Sequence, residues 1–109
     1  MQDIRTQNLV EKVKEYLKDN LCRSIKLEEL GPMFYLSPHY IGDSFKKVTG
    51  MSMKKYHDML RMRYAFQLLE ETELSISEIS DRLGFDSIHY FSRRFKERYG
   101  FSPSELRKN

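Results

Sequence analysis

Residues 39–56, HYIGDSFKKVTGMSMKKY, and residues 89–106, HYFSRRFKERYGFSPSEL, align at an offset of 50. His39-Tyr40 matches His89-Tyr90, Phe45-Lys46 matches Phe95-Lys96, Gly50 matches Gly100, and Ser52 matches Ser102. Ile41 and Met51 face Phe91 and Phe101, so the apolar pattern persists where identity does not. Upstream the offset becomes 49: Leu27, Leu30, Phe34 and Leu36 face Ile76, Ile79, Leu83 and Phe85, with one extra residue in the second turn. Each copy reads as a short helix, a tight turn, and a second helix carrying basic residues. Two copies are too few for a solenoid, and the unit lacks the pair of equal helices of the usual ~34–47-residue helical repeats.

Working outward, the apolar spacing is helical almost everywhere and no stretch alternates as a strand would. Val10, Val13 and Leu17 place a first helix near residues 5–20. Leu27, Leu30 and Phe34 start a second, in which Gly31-Pro32 predicts a kink or a late start, because proline removes an amide donor and crowds the carbonyl four residues back. Ser37-Pro38 is an N-cap followed by proline at the first helical position, and Gly50 stops that helix. Ser52 caps a long helix reaching about Glu71. Ser75 and Glu78 have capping-box spacing ahead of a short helix closed by Gly84. Asp86 or Ser87 caps the next, which ends at Gly100, and Ser102-Pro103-Ser104-Glu105 opens a last turn. The fold expected is all-α: seven helices, forming two helix-turn-helix subdomains joined by a long linker helix.

The long helix changes its apolar face midway. At about 100° per residue, Met53, Tyr56 and Leu60 fall together, while Met62, Ala65, Phe66 and Leu69 point to the opposite side. A helix serving one core keeps one stripe; a flip suits a rod with one lobe on each half. The domain expected over residues 1–109 therefore has a first lobe at about 5–55, a linker helix at about 52–71 and a second lobe at about 72–109.

Composition bounds the function. Of 109 residues, 39% are hydrophobic and 13% aromatic, too apolar for a disordered chain. The longest apolar run, Met33-Phe34-Tyr35-Leu36, cannot span a bilayer. The first five residues lack a signal-peptide core, so a cytoplasmic location is expected. Cys22, the single cysteine, can form no internal disulfide and reads as a small, partly buried apolar residue. His39, His57 and His89 lack metal-ligand spacing, and no nucleophile motif or phosphate loop occurs, so an enzyme, a metal or another cofactor is not expected.

The net charge is only +3, but its distribution is uneven. Residues 44–63 set six Lys and Arg against Asp58 alone, and residues 87–109 set six against two acids. Residues 64–86 set six acids against Arg82. Two basic blocks separated by an acidic one suit two contacts with a polyanion. On the second helix of each copy, His39, Gly42, Asp43 and Lys46 lie opposite the buried side, and so do His89, Ser92, Arg93 and Lys96. Such a polar face, weighted to the helix N-terminus, is what entry into a major groove requires. Arg93 is the best candidate for reading a base, since its fork matches two acceptors on guanine; a surface pair with Glu97 is the competing reading. Ser37 and Ser87 at helix N-termini, with Lys46, Lys47 and Lys96, suit phosphates.

The stretch from Ile76 through Leu83-Gly84-Phe85-Asp86-Ser87, then Tyr90-Phe91-Ser92-Arg93, Phe95-Lys96, Gly100 and Ser102-Pro103, resembles the C-terminal signature of the AraC/XylS family of bacterial transcription regulators. Arg61, Met62, Ala65, Leu68 and Leu69 resemble that family's linker-helix motif, and the likeness spans residues 9–107. The resemblance implies a two-lobed domain, monomeric in isolation, that binds two adjacent major-groove segments of double-stranded DNA, with RNA polymerase as a further partner of an activator. It implies base contacts by His39, Gly42 and Asp43 in the first unit and by Ile88, His89, Ser92 and Arg93 in the second. Where the family commonly has Ser-Arg, the first unit has Gly42-Asp43. Family members usually join this domain to a sensing or phospho-acceptor domain, so the expectation is the C-terminal output domain of a larger regulator. A stand-alone short regulator is the alternative, and an RNA-binding or protein-interaction helical module the runner-up.

Overall fold

The structure, a computed structural model, describes residues 3–108. Among them are seven helices and no strand: α1 (Ile4–Asp19), α2 (Leu27–Phe34), α3 (Pro38–Thr49), α4 (Met53–Glu71), α5 (Ile76–Arg82), α6 (Ile88–Tyr99) and α7 (Pro103–Lys108). The fold is all-α. The chain divides into two compact units: one runs through Asn20 and resumes at Ile25–Met59, the other holds Leu21–Ser24 and the chain from Leu60 onward. Residues of α4 thus belong to one unit up to Met59 and to the other from Leu60.

In the first unit α3 packs against α1 and α2. Val10, Val13 and Leu17 of α1 are buried, as are Leu30, Ile41 and Phe45. Phe45 meets Tyr56 edge-on, with ring centroids 5.3 Å apart. His57 is buried, and its Nε2 donates to the Asn20 carbonyl at 2.9 Å, serving a group just past the end of α1. α2 does not start late: it begins at Leu27 and runs through Gly31-Pro32 to Phe34. Pro32 sits so near the end of this short helix that it forfeits only the bond to the Glu28 carbonyl. Gly31 is buried, and a Cβ there would come within 3.0 Å of the Leu36 carbonyl oxygen and 3.5 Å of the Pro38 ring. Its missing side chain lets the turn fold back closely on α2. The Leu36 amide then donates to the Gly31 carbonyl at 3.1 Å, with Tyr35 as the left-handed residue at φ 56.

In the second unit α6 packs against α5 and α7. Its core joins Met62, Ala65, Leu68 and Leu69 of α4 to Ile79, Leu83, Phe85, Phe91 and Phe95. Phe91 and Phe95 are wholly buried, each stabilising the fold by roughly 1.5–3 kcal/mol relative to exposure. Two arginines serve helix ends. Arg61, buried with its guanidinium 3.9 Å from the centre of the Phe85 ring, donates Nε to the Leu83 carbonyl at 3.0 Å and a second N–H to the same oxygen. Arg107 donates Nε to the Leu69 carbonyl at 3.0 Å and Nη2 to that of Thr72 at 3.1 Å. Carbonyls at helix C-termini lack intrahelical partners, and these guanidinium groups supply them.

Three local expectations are decided here. Ser87, not Asp86, caps α6: its hydroxyl accepts from the Tyr90 amide at 3.0 Å, and Asp86 is the extra residue of the second turn. Ser102 and Glu105 form the reciprocal capping box of α7 at 3.1 Å each way, and the Ser102 amide, then its hydroxyl, hold the Glu105 carboxyl below the usual carboxylate range. Cys22 is exposed rather than partly buried. The segment Leu21–Ser24 lies against the second unit's turn through its backbone, so the thiol is left in solvent.

Candidate nucleic-acid interface

α3 and α6 are built alike. Each has 12 residues, begins after a serine N-cap and ends on a glycine at φ 83. Ser37 Oγ accepts from the Tyr40 amide at 3.1 Å, as Ser87 Oγ does from Tyr90. Each hydroxyl is thereby spent as an acceptor toward its own helix and keeps its O–H proton to donate outward.

On α3, His39, Asp43, Lys46 and Lys47 are exposed. Lys47 Nζ holds Asp43 Oδ2 at 3.0 Å, an i,i+4 pair along the helix surface. Gly42 is half-buried, and a Cβ built on it would stand 2.9 Å from Leu27 Cδ1. His39, Gly42, Asp43 and Lys46 line one groove of about 460 Å³, which the first residues of α2 and α4 complete. Lys26 and Lys54, which sequence reasoning did not assign to the site, also line it. A signal for them existed: both flank the start of a helix, and their counterparts in the repeat, Ser75 and Ser104, are uncharged.

On α6, Ile88, His89, Arg93 and Lys96 are exposed and Ser92 is half-buried. The competing partner for Arg93 is taken: Glu97 pairs with Arg94 at 3.1 Å, an i,i+3 contact. Arg93 instead places its guanidinium 5.9 Å from the Tyr90 ring centre, with Arg94 6.0 Å from the same ring. Tyr90, half-buried against Phe85 at 6.1 Å, gives both arginines a fixed aromatic neighbour. Lys96 lies 4.0 Å from Glu105, a loose contact at an exposed site. Within each unit the side chains singled out from the sequence lie on one helix, most of them solvent-facing.

Each unit is thus a helix-turn-helix whose second helix exposes a polar, mostly cationic surface, the build of a nucleic-acid-binding module. The profile of the family described as helix-turn-helix domain matches residues 31–109. The chain belongs to this family, in its AraC type. It is 36% identical over 103 residues to the Msm operon regulatory protein of Streptococcus mutans, covering 94% of this chain and 37% of that one. The C-terminal domain of AraT, a response regulator from Geobacillus stearothermophilus, superposes with TM-score 0.86 at 35% identity, over 92% of this chain and 84% of that one. The DNA-binding domain of AdpA, a global transcriptional factor, solved with a target DNA, superposes with TM-score 0.83 at 25% identity, over 91% and 89%. The chain spans about a third of the length of the curated relatives it matches. No helix among the described residues is long and apolar enough to cross a membrane.

Proposed function

We propose that this chain is the DNA-binding output part of a bacterial transcription regulator and reads a duplex through α3 and α6. The observation that carries the reading is the duplicated helix with a serine cap, a glycine stop and an exposed polar N-terminal half. In the second unit Arg93 reads a guanine edge through O6 and N7, flanked by His89 and Ser92, with Ile88 against a thymine methyl. In the first unit His39 reaches the base edges, while Asp43 accepts from a cytosine amino group where the sequence offers one. Ser37 and Ser87 donate O–H bonds to phosphates, aided by the free amides of their helix N-termini, and Lys46, Lys47 and Lys96 add charge. The lobes at about residues 5–55 and 72–109 work as two half-readers tied by the α4 rod. The complex of AdpA with a target DNA supports duplex DNA as the partner. In a longer regulator, activation would add a contact with RNA polymerase, and the cytoplasm is its place.

The test is a titration with duplex DNA and with single-stranded RNA at several salt concentrations. If about five phosphates are neutralised, log K against log salt falls with a slope of about −4.5 on duplex DNA. A slope near zero, or preference for single-stranded RNA, refutes the reading.

A further inference from the structure

We propose that Lys26 and Lys54, which line the groove of the first unit, bind phosphates of the DNA backbone whatever the base sequence, a clamp that works beside the base contacts of α3 and α6. The inference rests on the duplex-binding reading above and adds Lys26 and Lys54 to it.

Lys26, Lys46 and Lys54 line the groove together, from the starts of α2 and α4 and from α3. None of the three makes a salt bridge among the described residues. Two acids also line it, Glu28 and Asp43, and Asp43 is already held by Lys47. On the α3 side Leu27 fills the space that a side chain at Gly42 would need.

The repeat serves as an internal control. Lys26 and Lys54 stand where the second unit has Ser75 and Ser104, and Lys47 stands where it has Glu97. Conversely, Gly42-Asp43 stands where it has Ser92-Arg93. On two matching scaffolds, the first copy carries lysines at the starts of its helices where the second has serines, and the second carries Arg93 where the first has Asp43. Lysine suits a clamp, because a mobile point charge binds phosphate without demanding a planar match.

The experiment uses Lys26→Gln, Lys54→Gln and the double variant, titrated on a selected duplex and on scrambled DNA across a salt series. Circular dichroism checks that each remains folded. Each single change should reduce the steepness of the salt slope by about 0.9, and the double change by about 1.8. Affinity for the two duplexes should fall by the same factor, so their ratio stays constant. An unchanged slope in the folded double variant overturns the clamp. So does a loss confined to the selected duplex, since that would make the groove a reader. Failure of the wild-type chain to bind duplex DNA would instead sink the parent reading.

Discussion

Tyr35 and Gly84 occupy equivalent places in the two helix-turn-helix units, each in the left-handed region, at φ 56 and φ 75. Around Tyr35 the chain is open, and the residue is 92% exposed. Around Gly84 it is closed: a Cβ would stand 2.5 Å from the Cys22 carbonyl oxygen and 2.8 Å from Arg23 Cα. The first turn accepts the strain of a side chain at positive φ because nothing presses on it, while the second admits no side chain at all. The recognition helices divide similarly, with Gly42-Asp43 beside three lysines in one and Ser92-Arg93 beside Tyr90 in the other. The two units share one scaffold, and these residues are where they differ.

The sharpest way to break this comparison is Gly84→Ala. A methyl at 2.5 Å from a backbone oxygen cannot be accommodated by a side-chain rotation, and the positive φ adds its own penalty. Strain and overpacking together should cost roughly 2–4 kcal/mol in urea unfolding. A loss under about 0.5 kcal/mol would mean that the Leu21–Ser24 segment yields readily and the turn is not closed.

Arg93→Ala should come next. It should cost roughly 1–3 kcal/mol of specific binding and relax preference within one half of the site, with scrambled DNA much less affected. Equal loss on both DNAs would reduce Arg93 to a phosphate contact.

Tyr35→Gly should act in the opposite direction. Removing the Cβ relieves left-handed strain, offset in part by the freer unfolded chain, so unfolding stability should rise by about 0.5–1 kcal/mol. Destabilisation would show that the exposed ring makes an unrecognised contact.

What was legible in the sequence is what i, i+3 and i+4 chemistry determines. The caps at Ser37, Ser75 and Ser102, the glycine stops at Gly50 and Gly100, and the apolar stripes all act within a turn of their own helix. The seven helices and the repeat followed from them. Choices made across the chain were not legible. Spacing alone allows Glu97 either Arg93 or Arg94, and it pairs with Arg94. Cys22 is exposed because its backbone, rather than its thiol, meets Gly84. Pro32 is tolerated because α2 ends two residues later. That Lys26 shares a groove with α3 and α4 depends on how these helices pack, since their residues are distant in sequence.

The smallest expected effect belongs to Asp43→Ala, the counterpart of Arg93→Ala in the first unit. Asp43 is exposed, and its carboxylate holds Lys47 at 3.0 Å. Removing it costs the helix a surface ion pair worth about 0.3–0.5 kcal/mol, while deleting a negative charge near phosphates. On scrambled DNA the affinity should therefore rise slightly, because one negative charge no longer repels the phosphates. On the selected duplex the same gain applies, offset only if Asp43 accepts from a cytosine amino group. The decisive quantity is the ratio of selected to scrambled affinity, measured at one salt concentration for both Asp43→Ala and Arg93→Ala. A larger fall in that ratio for Asp43→Ala would make α3 the principal reader and reverse the division between the two units. A ratio that holds while both affinities rise fits a first unit whose acid restrains a clamp and reads nothing.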